Sequence, residues 1–120
     1  MRPASTHATG SRTEAAAASF LTRLGWTVLA RNWRAPGGEL DIVARDGDTL
    51  VFVEVRARRA RATYAPEETI GRRKIERLLA TGGAYLDACE WDGPCRFDVV
   101  AVSMADSGYD IRLIRDAIRK

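Results

Sequence analysis

Residues 46–58 constrain the fold most, because they combine a tight turn with a strand that is apolar on both faces. The Asp-Gly-Asp sequence at 46–48 predicts the turn, and residues 49–58 predict the strand. Neighbouring side chains of a strand point to opposite faces, so the Leu-Val-Phe-Val run at 50–53 must be covered on both sides. We therefore expect a central strand with helices on each face of its sheet.

The rest of the chain supplies those helices and further strands. A capping-box pattern at residues 11–14 predicts a helix from there to about Leu24, and apolar periodicity predicts a second helix at 70–89. Strands are predicted at 26–33, 39–45, 49–58, 96–103 and 110–114, with a last helical turn at 116–120. The order α-β-β-β-α-β-β predicts an α/β fold with a mixed sheet and helices on both faces. Residues 10–120 are expected to form a single domain behind a mobile tail at 1–9.

The composition excludes several classes of protein. Cys89 and Cys95 are too few for a disulfide framework, and the single histidine, His7, leaves no zinc-binding set. We therefore expect reduced thiols and a cytoplasmic location. No apolar run approaches membrane-spanning length, so no membrane partner is expected.

Positive charge is concentrated in one segment. Residues 56–77 contain eight arginine or lysine residues and three glutamates, a net charge of +5, whereas the whole chain carries +3. Such a strip suits a polyanion, and nucleic acid, above all DNA, is the expected partner. The alternative is a solvated arginine-rich surface. The candidate nucleic-acid contacts are Arg58, Arg59, Arg61, Arg72 and Arg73, with Tyr64 as a base-stacking candidate.

The turn at residues 46–48 sets the register between the strand before it and the strand after it. A two-residue loop at 47–48 makes paired residue numbers sum to 95, so Asp41 lies opposite Glu54 and Glu39 lies opposite Arg56. Facing carboxylates lie roughly 5 Å apart and repel, unless one holds a proton or a cation lies between them. Oxygen ligands without nearby histidine or cysteine suit Mg²⁺ or Mn²⁺. The alternative is two solvated acids beside an ordinary Glu39–Arg56 ion pair.

Glu14 is a further acidic candidate. It shares a helical face with Ala17 and Leu21, which should pack on the sheet. A carboxylate on such a face is costly unless it is paired or linked to a metal. The alternative is that Glu14 is simply the glutamate of the capping box.

These residues resemble a known nuclease signature. Asp41 followed by Glu54-x-Arg56 resembles PD-(D/E)-x-K, with arginine at the lysine position. The chain as a whole resembles the YraN-type uncharacterised bacterial family, which is related to archaeal Holliday-junction resolvases. The matching stretches are residues 10–14, 31–34, 38–41, 52–58, 74, 85–86 and 96–100.

The resemblance implies a restriction-endonuclease-like fold of three layers. It also implies that Asp41, Glu54 and the main-chain carbonyl of Val55 ligate Mg²⁺ or Mn²⁺. Glu14 and Glu39 match further acidic positions of the family. Resolvases of this fold are often dimers, so the resemblance admits a homodimer, although no dimer signature stands apart from the core in the residues.

Arg56 leaves two functions open. Arginine cannot serve as a general base, although it can bind a phosphate oxygen and stabilise transition-state charge. In the first interpretation the protein is a metal-dependent nuclease acting on DNA, branched DNA included, and Lys74 either lends an ammonium or is a surface lysine. In the second it binds nucleic acid without cutting it. A third class, a protein-interaction partner in DNA maintenance, has no specific support in the residues.

Four other residues are assigned structural roles. Asp98 is expected to orient backbone or arginine groups. The aromatic residues Trp26, Trp33 and Tyr85 are expected in the core rather than as base-stacking platforms.

Overall fold

The element order of the sequence prediction is confirmed in the computed structural model of the protein. The structure describes the backbone of residues 4–59, 70–105 and 108–118, and the side chains of 12–57, 70–104 and 108–118. Within these residues the elements are α1 (Ala4–Arg23), β1 (Thr27–Ala35), β2 (Gly38–Asp46), β3 (Thr49–Arg59), α2 (Arg72–Cys89), β4 (Cys95–Ala105) and β5 (Gly108–Ile114).

The described strands form one mixed sheet with β3 at its centre. Their spatial order is β1-β2-β3-β4-β5. Strands β3 and β4 pair in parallel, and the other neighbouring pairs are antiparallel. A parallel pair needs a crossover connection, which α2 provides. The prediction of a central, doubly covered strand is therefore confirmed.

Each face of β3 contributes to a separate core. Val51 and Val53 pack with Leu21 of α1, whereas Phe52 packs with Leu78 and Tyr85 of α2. These six side chains are at most 7% exposed. The result is the three-layer arrangement of helix, sheet and helix that the resemblance implies. No helix within the described residues is long and apolar enough to cross a membrane.

The predicted aromatic core is also confirmed. Trp26 and Tyr85 are buried, and Trp33 packs against the α2 side of the sheet. The rings of Trp33 and Tyr85 meet edge to face, with centroids 5.1 Å apart. Phe52 contacts Tyr85 in the same way at 5.8 Å, so the aromatic rings support one another.

Two predictions at the chain ends are wrong. Helix α1 begins at Ala4, so residues 11–14 lie inside the helix and do not start it. The predicted end at about Leu24 is confirmed, since the helix ends at Arg23 and the chain turns at Gly25. Residues 116–118 form no helical turn, and residues 119–120 lie outside the described part of the chain. The mobility predicted for residues 1–9 stays a prediction, and residues 1–3 are outside the described range.

Helix α2 packs closely on the sheet because Gly82 has no side chain. A Cβ atom at Gly82 would lie 2.5 Å from Cζ of Phe97 and 3.3 Å from Cε2 of Phe52. The two rings already contact each other, with centroids 4.8 Å apart, so Phe97 cannot move freely. Gly83, the next residue, has no such neighbour within 4 Å of its Cβ position.

We expect alanine to have different effects at these two glycines. Gly83→Ala should raise the free energy of unfolding by up to about 1 kcal/mol, since alanine favours the helix. Gly82→Ala has the same propensity gain but overpacks the core, so it should be less stable than Gly83→Ala by about 1–3 kcal/mol. Urea unfolding of the two variants measures this difference. Equal stability would show that α2 does not depend on this contact.

Candidate functional site

Asp41 lies where β2 separates from β3. The predicted register holds over five residue pairs, of which Ile42–Val53 is the last. The ladder ends there, so the predicted direct pairing of Asp41 with Glu54 is wrong. Instead, the main-chain N–H of Val55 donates a hydrogen bond to Oδ2 of Asp41 at 2.9 Å.

An irregularity shared by β1 and β2 explains this separation. Leu40 and Ile42 are two residues apart, yet Leu40 packs on the α2 side of the sheet and Ile42 packs on the α1 side. Asn32 lies on β1 between the partners of these two residues and has a φ of 54°. Asparagine tolerates this left-handed conformation better than most residues. The normal alternation is therefore broken at Asn32 and Asp41, a feature that periodicity in the sequence did not reveal.

Glu54 is a buried carboxylate held between two cations. Its side chain is only 4% exposed, although it follows the apolar run of β3 directly. Nζ of Lys74 lies 3.0 Å from Oε2 of Glu54, and Nη1 of Arg56 lies 3.8 Å from the same atom. The structure thus brings Lys74, from the first turn of α2, to the carboxylate pair.

The surroundings of Asp41 strongly shift its pKa. Burial and the negative charge of Glu54 raise the pKa of Asp41 to about 8, against the opposing effect of the Val55 N–H. A hydrogen bond between the two carboxyl groups contributes to this raised pKa. In the neutral range, one proton is therefore best assigned to the pair as a unit.

Glu14 approaches the pair from α1. Its side chain is 14% exposed, and within the described residues its buried Oε1 atom has no hydrogen-bond partner. Nη2 of Arg31 lies 3.8 Å away, too far for a hydrogen bond. Burial raises the pKa of Glu14, while a hydrogen bond with Asn32 and the charge of Arg31 lower it. Sequence reasoning gave Asn32 no role, although asparagine within a β-rich run was a signal.

Two small clefts open onto the carboxylate pair. A cleft of about 230 Å³ includes Glu14, Val55 and Arg56 among its lining residues. A cleft of about 180 Å³ includes Glu39 and Thr81. Both are also lined by Asp41, Glu54 and Lys74.

Glu39 does not pair with Arg56 as predicted. It lies opposite Arg34 of β1, and Nε of Arg34 is 3.5 Å from its Oε1 atom. The β2–β3 ladder has already ended at this level, because the irregularity at Asp41 separates the strands. Arg56 instead faces Glu54.

The predicted metal ligands and nucleic-acid contacts are only partly described. Asp41 and Glu54 come together, but among the described side chains no three Asp, Glu, His or Cys residues form a metal-binding group. Arg72 and Arg73 are exposed on the first turn of α2. The side chains of Arg58 and Arg59, and the whole of Arg61 and Tyr64, lie outside the described residues.

The structural role predicted for Asp98 is confirmed. Its side chain is fully buried and accepts hydrogen bonds from Nε of Arg96 at 3.0 Å and from the main-chain N–H of Asp116 at 2.8 Å. Nη2 of Arg96 also lies 3.0 Å from Oδ2 of Asp46. Asp98 therefore connects β4 to the end of β2 and to the turn after β5.

Comparison with known proteins places the chain in a family. A family model described as "Uncharacterised protein family UPF0102" matches residues 13–102. The chain belongs to this family. The match confirms the resemblance to the YraN-type bacterial family, and among the described residues it includes Glu14, Asp41, Glu54, Arg56 and Lys74.

Similar UPF0102 proteins occur in several bacteria. One from Nitratidesulfovibrio vulgaris (strain DP4) is 43% identical over 112 residues, covering 92% of this chain and 84% of that protein. One from Syntrophus aciditrophicus (strain SB) is 44% identical over 110 residues, covering 91% and 87%. One from Pseudomonas aeruginosa (strain UCBPP-PA14) is 44% identical over 106 residues, covering 87% and 85%. Their names give the UPF0102 family and no reaction.

The raised pKa of Asp41 predicts a pH-dependent stability. Its carboxyl has an ordinary pKa of 3.8 but a pKa of about 8 in the folded protein, so the folded state binds a proton that the unfolded state releases. The resulting stabilisation is fully present below about pH 4 and is lost as pH rises through about 8. Asp41→Asn keeps an acceptor for the Val55 N–H without the ionisable group, so its free energy of unfolding should not show this decline.

Urea unfolding in the presence of a chelator, at several pH values from about 5 to about 9, tests this expectation. Asp48→Asn is the matched control, because Asp48 is exposed in the β2–β3 turn. The control should follow the wild type. The idea is wrong if Asp41→Asn does so as well.

Proposed function

We propose that this UPF0102 protein is a divalent-metal-dependent nuclease that hydrolyses phosphodiester bonds of DNA. The observation that carries the proposal is the pair formed by the partly buried Asp41 and the buried Glu54, in which desolvation and the charge of Glu54 raise the pKa of Asp41 to about 8. The fold alone needs no such pair, and unfavourable groups of this kind are concentrated at functional sites. The cations of Lys74 and Arg56 beside Glu54 suit a phosphate group.

The residues at the pair fit a hard divalent cation. Two adjacent carboxylates without histidine or cysteine are the ligand set that Mg²⁺ or Mn²⁺ prefers. A cation would also remove the repulsion that favours a proton on Asp41. Asp41, Glu54 and the main-chain carbonyl of Val55 would hold it, and the buried Oε1 of Glu14 offers another acceptor on the same cleft. When bound, Mg²⁺ or Mn²⁺ acts as a Lewis acid toward water and phosphate oxygens.

The protein cations have a separate role in this proposal. Lys74 and Arg56 stabilise the negative charge that develops on the phosphate during hydrolysis. Arg56 remains protonated, so it contributes electrostatically and not as a general base. Glu54 orients both cations, since its Oε2 atom lies within 4 Å of each.

The basic strip provides the DNA-binding part of the proposal. Arg72 and Arg73 are exposed on the same first turn of α2 that carries Lys74. Phosphate contacts of this kind position a nucleic acid without reading its sequence. A cytoplasmic location agrees with the two free cysteines, Cys89 and Cys95. The homodimer that the resemblance admits stays a prediction.

Calorimetry and a cleavage assay test the nuclease proposal together. The wild-type protein should bind Mn²⁺ or Mg²⁺ and cut at least one DNA form among duplex, flapped and branched substrates. Asp41→Asn should lose both metal binding and cleavage, because one of two adjacent carboxylate ligands is removed. Asp48→Asn is the control and should retain both, since its side chain lies in an exposed turn. Unchanged cleavage by Asp41→Asn would exclude this mechanism.

A second candidate function is nucleic-acid binding without cleavage. Arg56 favours it, because a residue that cannot lose its proton occupies the signature lysine position, 3.8 Å from Glu54. In that case binding should weaken with increasing salt but survive both the chelator and Asp41→Asn. The same protein preparations distinguish the two functions.

Lys74 should affect catalysis and metal binding in opposite directions. Lys74→Met removes a cation that stabilises phosphate charge, so cleavage should fall about tenfold to hundredfold. It also removes a positive charge next to Glu54, so Mn²⁺ should bind more tightly to the variant. Lys74→Arg keeps the charge and should lie closer to the wild type in both measurements. If Lys74→Met weakens metal binding and cleavage together, Lys74 merely supports the local structure.

A further inference from the structure

A larger groove adjoins the carboxylate clefts along helix α2. Its volume is about 470 Å³, and it lies between α2 and the turn that joins β1 to β2. We call it the α2 groove. The residues that define it are Pro36, Gly37, Arg73, Arg77, Ala80 and Ala84. Arg77 also lines the cleft of Asp41 and Glu54, so the two spaces are adjacent.

The boundary between groove and cleft is held rigidly. A Cβ atom at Gly38 would collide with Oγ1 of Thr81, so α2 contacts the start of β2 directly. The hydroxyl of Thr81 donates a hydrogen bond to the main-chain carbonyl of Arg77 at 2.7 Å. Because this boundary is packed before any ligand arrives, binding in the groove needs little rearrangement.

The groove contains cations that are not used in the fold. Arg34 and Arg56 each have an acidic partner, but within the described residues no ion pair joins Arg73 or Arg77 to a carboxylate. Both side chains are exposed. Glu76 also lines the groove, which leaves a net positive charge. Exposed arginines without acidic partners are suited to bidentate contacts with phosphate.

The shape of the groove suits one strand rather than a duplex. Positions 73, 77, 80 and 84 follow the i, i+4, i+7, i+11 spacing of one helix face. This face runs for roughly 16 Å along α2, and the groove volume is in the range that encloses a ligand of nucleotide size. Ala80, Ala84 and Pro36 offer apolar surface beside the two arginines, which matches the alternation of sugar or base with phosphate in an unpaired strand.

We propose that the α2 groove binds an unpaired strand of a DNA substrate. This strand lies immediately next to the phosphodiester bond that is cut at Asp41 and Glu54. Arg77 contacts the phosphate nearest the site, and Arg73 contacts one farther along. The substrate class is then a duplex with a single-stranded tail, as in flapped or frayed DNA. This inference rests on the proposed function, because the carboxylate pair defines where the strand is cut.

Binding measurements on the full chain, with a chelator present, test the groove separately from cleavage. The probes are a fluorescent blunt hairpin and the same hairpin with a short single-stranded tail of either polarity, followed by anisotropy. The wild type should bind one tailed hairpin more tightly than the blunt one. Arg77→Gln should weaken binding of that tailed hairpin about fivefold to tenfold, with less than about a twofold change for the blunt one.

Two further variants sharpen the test. Ala80→Glu introduces a negative charge at an exposed helical position of the groove and should have the same selective effect. Arg45→Gln removes an equal charge from an arginine that stacks on Trp91, outside the groove, and should change neither affinity. Circular dichroism melting verifies that all variants fold.

Several results would overturn the groove proposal. They are equal wild-type binding of tailed and blunt hairpins, no detectable binding of either, or an equal loss for both hairpins in Arg77→Gln. The results that would reject the groove proposal can be distinguished from those that would reject the nuclease proposal. Tail-selective binding without cleavage at any metal concentration would retain the groove and reject the nuclease, whereas cleavage with unchanged tail affinity in Arg77→Gln would reject the groove alone.

Discussion

The close approach of a partly buried carboxylate, Asp41, to a buried one, Glu54, is the constraint around which this end of the molecule is organised. Desolvation, together with the charge of the adjacent Glu54, raises the pKa of Asp41 to about 8. The Val55 N–H and the Lys74 ammonium each bind one member of the pair. Such a group is unfavourable for folding, so the remaining structure must be stable enough to hold it.

The central strand provides that stability. Residues 50–53 are at most 2% exposed and are covered by α1 on one face and α2 on the other. Glu54 follows this run directly on the same strand. Its backbone is fixed by the parallel pairing with β4, in which Glu54 lies opposite Val99. Helix α2 belongs to the crossover that joins the parallel strands β3 and β4. Its first turn lies beside Glu54, and Lys74 of that turn therefore contacts this carboxylate.

The register of the β2–β3 hairpin was predicted correctly from the sequence in one part and wrongly in another. The register deduced from the Gly47-Asp48 turn is correct as far as Ile42, because the length of the turn fixes which residues of the two strands face each other. It fails at Asp41, where β1 and β2 both change face around the positive φ of Asn32. A backbone irregularity of this kind leaves no periodic signal. The predicted placement of Glu39 opposite Arg56 failed as a consequence.

The sequence by itself determined the order of the elements, the central position of β3 and the identity of the two acids. These properties follow from local patterns, namely apolar runs, turn residues and the spacing of charged groups. Only the tertiary structure decided that Asp41, Glu54 and Lys74 meet, and that α2 forms a basic groove beside them. These three residues come from three elements, and their proximity depends on long-range packing of β2, β3 and α2. Burial and charge act through space, so the shifted pKa of Asp41 exists only once those elements have assembled.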